Sequence, residues 1–356
     1  MPREALGDTR ASAGVVKAGS DKRVLVVGLG SVGRRHAENL VSLGCAHVEV
    51  CSERHCVQEF SVGDVSLRVF HEYEAALDAR PDVVVIANTT NLHASYAARA
   101  IERGCHVYLD KPAALSAVEA LPLADLARAR SVTVAIGCQL RFNACLESIK
   151  AILGSGRLGR IVYVHAQMGE FLPDYHPDED YRQSYAARAQ LGGGVLRTQI
   201  HDINYLHWLF GRFETVYAVG GKSSDLEIDV EDNVSFLLRS RSGVGVAAHM
   251  DFLQRPRRRA LTIAGEWGSL YWDYDANSVR MVSGAEPEQE VGQGVPLDRN
   301  GMFLGAMRDF FRCMAAGCPP RTTLADGIAD LRVVDAVRAS FTTNTLATIV
   351  YDDNGS

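Results

Sequence analysis

Lys111 stands between Asp110 and Pro112, directly after the apolar run His106–Leu109. An ammonium at a strand end can bond a substrate hydroxyl and share its proton, and burial or a neighbouring positive charge lowers its pKa toward that task. Pro112 fixes the turn that aims it. A solvated surface lysine is the plain alternative. A second segment complements the first: Val24–Val27 runs into Gly28-Leu29-Gly30-Ser31-Val32-Gly33, a G-x-G-x-x-G that follows an apolar run and opens a helical pattern. Gly28 permits the tight turn, Gly30 lets backbone approach a pyrophosphate, and Gly33 allows close helix–strand packing. Ser31 and Val32 begin the helix, whose free N–H groups and positive dipole end face the phosphates. A loop for a dinucleotide and a loop for a proton together point to hydride transfer.

Both loops need a rigid sheet beneath them. From Lys22 to about Phe142 short β-branched runs alternate with helical stretches: strands at Val24–Val27, Val48–Cys51, Val83–Ala87, His106–Leu109 and Val132–Ile136, helices at Val32–Leu43, Tyr73–Ala79, His93–Arg103 and Val118–Arg130. That rhythm predicts a doubly wound parallel sheet of the Rossmann type, whose carboxyl edge binds ligands. Period-2 alternation takes over afterwards, at Ile161–Gln167, Thr215–Val219, Val234–Arg239, Gly245–Phe252, Arg259–Ala264 and Ser269–Asp273. It predicts an open, largely antiparallel sheet. One helix, roughly Gly194–Phe210, interrupts it, and Phe303–Ala316 and Leu324–Thr343 close the chain as helices. The fold class is therefore α/β, divided into a tail over 1–20, a Rossmann domain over 21–142 and a substrate-binding and oligomerisation domain over 143–356.

The acidic residue expected after the second strand is Glu53, twenty residues beyond Gly33. A carboxylate there takes ribose hydroxyls and repels a 2′-phosphate, which favours NAD. Ser52 and Arg54 flank it and can equally hold that phosphate, so NADP stays open.

At 356 residues, 47% apolar and 22% charged, the chain has room for two cores. A net charge of −6 gives no electrostatic reason to expect nucleic acid or an anionic membrane as partner. No apolar stretch approaches a membrane span, and Met1–Ser20 contains no apolar signal region. Eight cysteines without a C-x-x-C pair read as reduced thiols in a cytoplasmic protein, and no His stands at metal-ligand spacing from a Cys pair. A metal site is not expected.

Several ordered motifs resemble the Gfo/Idh/MocA family of oxidoreductases. Gly28–Leu40 (GLGSVGRRHAENL) is similar to its opening, and Ala87–His93 (ANTTNLH) to its A-T-P-x-x-x-H segment, which brings Asn88, Thr89, Asn91 and His93 to the cofactor. Asp110-Lys111-Pro112 is similar to its E-K-P, and Gly192-Gly193-Gly194-Val195-Leu196 with His201 to its G-G-G-x-L…H helix start. The resemblance implies a Rossmann domain, a C-terminal α/β domain whose open sheet often mediates homodimers or homotetramers, and NAD(P)-dependent oxidation of a sugar or cyclitol hydroxyl. It implies a catalytic role for Lys111 and His201, and places Asp110 at the cofactor. The family often has an aspartate four residues before the histidine; this chain has Arg197 there, then Thr198. Asp202 is too near in sequence to replace that aspartate on one helix face. Arg197, His201 and Tyr205 would share a face at i, i+4 spacing, and a near-neutral imidazole suits His201 as a base. A packed core histidine is the alternative.

On the substrate side, Phe171–Arg182 is rich in aromatics and acids, with Tyr175 at its centre. Such a segment lines a sugar site or forms a surface excursion. Its acids would suit the ammonium groups of an amino sugar or aminoglycoside. Arg255, Arg257, Arg258 and Arg259 either clamp a phosphate or solvate a strand edge. Arg141, after the fifth strand at a position the family uses near the substrate or nicotinamide, either binds a substrate hydroxyl, with Lys111, Tyr175, Arg197, Thr198 and His201, or pairs with an acid between domains. The expected function is an NAD(P)-dependent dehydrogenase of a sugar, amino sugar or cyclitol. The rivals are a glycosidase with retained NAD and a non-catalytic NAD and sugar sensor.

Overall fold

The computed structural model describes residues 21–53, 57–284, 286–293 and 297–351. The expected tail over 1–20 and the candidate Arg54 lie outside them.

All five runs expected as buried strands form strands in the first sheet. In chain order its part of the molecule holds β1 (Arg23–Val27), α1 (Ser31–Ser42), β2 (His47–Cys51), a small hairpin of β3 (Phe60–Val62) and β4 (Val65–Leu67), β5 (Val69–Phe70), α2 (Tyr73–Asp78), β6 (Val83–Ile86), α3 (Thr90–Glu102), β7 (His106–Leu109), α4 (Ala117–Arg130) and β8 (Val134–Ile136). Every residue of β6 is buried, because helices cover both faces of the sheet. The strands stand in the order β5-β2-β1-β6-β7-β8, all parallel. Chain direction away from the centre reverses between β1 and β6, so their carboxyl ends open a crevice, and the glycine turn leaves from one of them. Edge strand β5 has two residues, too few to show a period in sequence.

After α5 (Ala144–Gly154), capped by the Asn143 side chain on the Leu146 N–H at 3.1 Å, a second sheet begins. It comprises β9 (Ile161–Gly169), β10 (Phe213–Gly221), β11 (Asn233–Ser240), β12 (Gly245–Asp251), β13 (Arg258–Gly265), β14 (Gly268–Asp273), β15 (Ser278–Ser283), β16 (Glu286–Gln293) and β17 (Ala347–Thr348). Its order is β16-β15-β14-β13-β9-β12-β11-β10-β17. Among the described residues β9 and β12 form the one parallel pair of this sheet, as the largely antiparallel expectation requires. The last three strands escaped the sequence reading: β16 spells EPEQEVGQ, whose polar run carries no apolar alternation.

The helix expected over Gly194–Phe210 is two, α6 (Val195–Thr198) and α7 (His201–Phe210). Gln199 leaves the helical region at φ −100° and ψ 23°. Its side chain amide donates to the Tyr175 hydroxyl at 3.0 Å and to the Asp251 carbonyl at 3.1 Å, contacts that anchor the residue at the break. The Asp202 N–H then reaches Gln199 rather than Thr198, and the Thr198 carbonyl is left without a helical donor.

The closing helices α8 (Arg299–Ala316) and α9 (Leu324–Thr343) form as expected. Met307, Phe310 and Phe311 of α8 pack back on the first sheet beside Val26 and Tyr108. α9 lies against β10 and α7. Among the described residues no helix is long and apolar enough to cross a membrane.

Candidate active site

The three glycines of the turn do three different things. Gly28 has φ +91°, and a Cβ there would sit 2.7 Å from the Ala87 carbonyl oxygen. A Cβ on Gly33 would lie 1.8 Å from the Gly28 oxygen, so helix α1 approaches the turn only because that atom is missing. Gly30 is extended, and a Cβ on it would meet nothing within 4 Å. α1 has no acidic residue in its first turn and no side-chain cap, which leaves its first N–H groups to a ligand.

A cleft of about 570 Å³ opens above this turn. Gly28, Gly30, Ser31 and Val32 line it from the turn, and Ser52 and Glu53 from the end of β2. Asn88, Thr89 and His93 line it from the start of α3, Asp110 and Lys111 from the end of β7. Gly33 acts through packing instead, and Asn91 does not line the cleft. The residues fit a dinucleotide: space stands open over Gly30, and the Asn88 amide presents both polar atoms without a protein partner at the wall.

The opposite wall comes from the segment after β9, through Leu172, Tyr175, His176, Glu179, Tyr181 and Tyr185. Tyr185 and Tyr96 were missed in the sequence. Tyr96 reads there as one more apolar position of α3, and nothing local distinguishes it.

Lys111 donates to the Thr198 carbonyl at 2.7 Å. The turn carrying it is braced by His93, whose Nδ1 lies 2.7 Å from the Pro112 carbonyl and whose Nε2 lies 3.1 Å from the Asn88 carbonyl. The Lys111–Pro112 peptide is cis. His201, the first residue of α7, is buried; burial, then the charges of Lys111 and Arg259, hold its pKa well below the usual imidazole value. Its Nδ1 has no protein partner. Asp202 faces elsewhere, accepting from Tyr205 at 2.8 Å and from Arg259 at 3.0 Å.

Three substrate-side expectations change. Arg141 is buried and fully engaged, donating to Asn204 at 2.9 Å, the Arg321 carbonyl at 2.9 Å and Asp326 at 3.0 Å, so it joins α7 to the start of α9 and does not line the cleft. Arg197 is not on one face with His201 and Tyr205, because the helix breaks between them. It points toward the Gly193 carbonyl, 3.5 Å away, and burial followed by the nearby Arg338 lowers its pKa to about 10. Thr198 meets Lys111 through its main-chain oxygen, while its hydroxyl is buried without a partner.

The arginine run is neutralised in place. Arg255 lies 3.8 Å from Asp174 and Arg258 3.9 Å from Asp273; Arg257 pairs with Asp275 and Arg259 with Asp202. Four carboxylates leave it poorly suited to clamp a phosphate. Among the described residues no group of three His, Cys, Asp or Glu side chains assembles to hold a metal ion.

Residues 22–138 match the family model described as the oxidoreductase family with an NAD-binding Rossmann fold, and residues 146–271 match the GFO/IDH/MocA C-terminal domain. Levoglucosan dehydrogenase of Pseudarthrobacter phenanthrenivorans is 24% identical over 301 residues, covering 72% of this chain and 76% of that protein. Myo-inositol 2-dehydrogenase of Thermotoga maritima is 24% identical over 324 residues, 86% of this chain and 92% of that one. Among solved structures, levoglucosan dehydrogenase in complex with NADH superposes with a TM-score of 0.83 at 18% identity, covering 93% of this chain and 100% of that chain. At that identity the superposition establishes a shared fold.

Proposed function

The chain belongs to the Gfo/Idh/MocA family of NAD-binding oxidoreductases, and we propose that it oxidises a secondary hydroxyl of a sugar, amino sugar or cyclitol, or runs the reverse reduction. One observation carries the reading: Lys111 lines the dinucleotide cleft while its ammonium is fixed at 2.7 Å on the Thr198 carbonyl, close enough to His201 for its charge to depress that imidazole.

The glycine turn and the α1 N-terminus would hold the pyrophosphate, Ser52 and Glu53 a ribose, and Asn88, Thr89 and Asp110 the far end of the dinucleotide. NAD, when bound, supplies the acceptor for hydride. The chain's own task is the proton. Lys111 has three N–H donors and commits one to Thr198, which leaves two for a substrate oxygen. His201, neutral because it is buried beside two cations, takes the proton at Nε2, because Nδ1 is enclosed and out of a substrate's reach. Both relatives described above are named for cyclic polyhydroxylated compounds, which supports a substrate of that class. Glu179 and the tyrosines of the opposite wall suit hydroxyls and, in an amino sugar, an ammonium group.

The test follows NADH absorbance with NAD⁺ and, separately, NADP⁺ against sugars, amino sugars, inositols and nucleotide sugars. Turnover with one class, abolished in Lys111→Ala, is the expected result. Dinucleotide binding with no turnover across the panel overturns the dehydrogenase reading.

We assign a second copy of the chain to the open face of the nine-stranded sheet. Its outward face carries Tyr163, Val219 and Leu237, exposed by 51%, 52% and 60%, and one register row across it runs Tyr217, Leu237, Ala247, His165, Thr262 and Tyr271. A face with that many exposed aromatic and aliphatic side chains suits a homodimer or homotetramer. Sedimentation of Leu237→Glu at a smaller mass than wild type is the expected outcome. Cys51, Cys105, Cys138, Cys145, Cys313 and Cys318 are free thiols, which supports a reducing, cytoplasmic setting.

A further inference from the structure

We propose that Tyr96 is a positioning residue that sets the preference for NAD over NADP by fixing the Glu53 carboxylate. The inference rests on the dinucleotide reading of the cleft. Glu53 sits at the end of β2 with its side chain exposed, where an untethered glutamate samples several rotamers. The Tyr96 hydroxyl, on α3, donates to Glu53 Oε1, and both residues line the cleft.

Tyr96 is itself held. Its ring stacks on Tyr73 with centroids 4.4 Å apart and planes 20° from parallel. The Tyr73 hydroxyl donates to the Tyr96 carbonyl at 2.9 Å. The Arg99 guanidinium lies 4.5 Å and 4.8 Å from the two ring centroids, and Glu74 pins it at 3.0 Å. A rigid donor therefore selects one Glu53 rotamer.

The chemistry of that donor matters. A lysine or arginine in its place would neutralise the carboxylate and welcome a 2′-phosphate. A tyrosine donates a hydrogen bond and brings no charge. Burial, followed by the bond to Glu53, lifts the Tyr96 pKa to about 12, so it stays neutral. The tyrosine places no cation on the carboxylate, and the remaining lone pairs of Glu53 can accept ribose hydroxyls. Because Glu53 is tethered, it cannot swing aside to admit a phosphate at the same place.

NADH and NADPH titrations, read by nicotinamide fluorescence, test this on wild type, Tyr96→Phe, Glu53→Ala and the double variant, each checked for wild-type thermal unfolding. Wild type is expected to bind NADH about tenfold more tightly than NADPH, and Tyr96→Phe to shrink that ratio about fivefold, mainly by strengthening NADPH binding. In the Glu53→Ala background the tyrosine substitution is expected to change neither affinity. Glu53→Asp, whose carboxylate is one methylene short of the hydroxyl, supplies the same test without touching the ring stack and is expected to behave like Tyr96→Phe. An unchanged ratio in Tyr96→Phe or Glu53→Asp, with the ratio collapsing in Glu53→Ala, overturns the role of Tyr96 and leaves the NAD reading standing. An equal effect of Tyr96→Phe with and without Glu53 also overturns it. A wild type that binds neither dinucleotide, or prefers NADPH, removes the NAD preference and the inference together.

Discussion

Lys111 and Thr198 are 87 residues apart in sequence and meet through one hydrogen bond of 2.7 Å, from ammonium to main-chain oxygen. The lysine comes from the carboxyl edge of the parallel sheet and the oxygen from the break between α6 and α7. The break supplies the acceptor: Asp202 turns its N–H to Gln199, and the Thr198 carbonyl is released for Lys111. A helix continuous through this point would have used that oxygen internally.

Replacing Lys111 by Ala is expected to lower kcat by about a thousandfold, the scale of a lost charged donor at the reacting oxygen. NADH affinity should stay near wild type, because the glycine turn and Glu53 are untouched. Wild-type turnover in this variant would sink the assignment.

His201 gives a pH prediction. A base must be neutral, and burial with the charges of Lys111 and Arg259 keeps this imidazole neutral to well below its ordinary value of 6.5. Activity should therefore hold as pH falls through 6.5 and decline only in more acid solution. The profile of kcat/KM checks this, and His201→Asn should lose about a hundredfold along with that acid limb. An acid limb centred at or above the ordinary imidazole value would exclude His201 as the base.

The glycines separate binding from folding. A methyl on Gly30 enters open space at an extended backbone, so Gly30→Ala should unfold at the wild-type temperature yet lose about tenfold or more in NADH affinity. A methyl on Gly33 would strike the Gly28 oxygen, so Gly33→Ala should fail to accumulate as folded protein. Equal NADH affinity in Gly30→Ala and wild type would place the pyrophosphate elsewhere.

Whatever depends on local pattern was legible in the chain. The β-branched runs gave the parallel sheet, the glycine spacing gave the turn, and Asp110-Lys111-Pro112 gave the lysine a place at the sheet edge. What stayed hidden depends on tertiary partners. The residue at the helix break, Gln199, is held by Tyr175 and Asp251, far away in sequence. Arg141 stood open between a substrate hydroxyl and an acid, and only the fold decides for the acid, with three acceptors from α7, the approach to α9 and α9 itself around it. The four close-set arginines looked cationic until Asp174, Asp202, Asp273 and Asp275 folded against them.

Arg141 should behave as a structural residue. Arg141→Met removes the donor that Asp326, Asn204 and the Arg321 carbonyl share, and with Asp326 partly exposed and still bonded by Thr323 the loss is about 1–3 kcal/mol. Urea denaturation should show that loss, while the KM of the remaining folded enzyme stays within about twofold. A large rise in KM with unchanged stability would return Arg141 to the substrate.

His36 should tie stability to pH. It is fully buried between Tyr108 and Phe303, with ring centroids 5.3 Å and 5.8 Å away, and neither ring nitrogen has a protein partner. Burial lowers its pKa against the pull of Asp110, so the folded chain holds it neutral where the unfolded chain protonates it. The unfolded state then binds the extra proton below the ordinary value of 6.5, and stability falls as pH drops toward the depressed folded value. Each pH unit in that window costs about 1.4 kcal/mol for one such group. His36→Leu removes the proton, so the acid slope of its unfolding free energy should be shallower than wild type by about that amount. Parallel slopes for the two proteins between pH 5 and pH 7, measured by urea titration, would mean that His36 is already protonated in the folded chain.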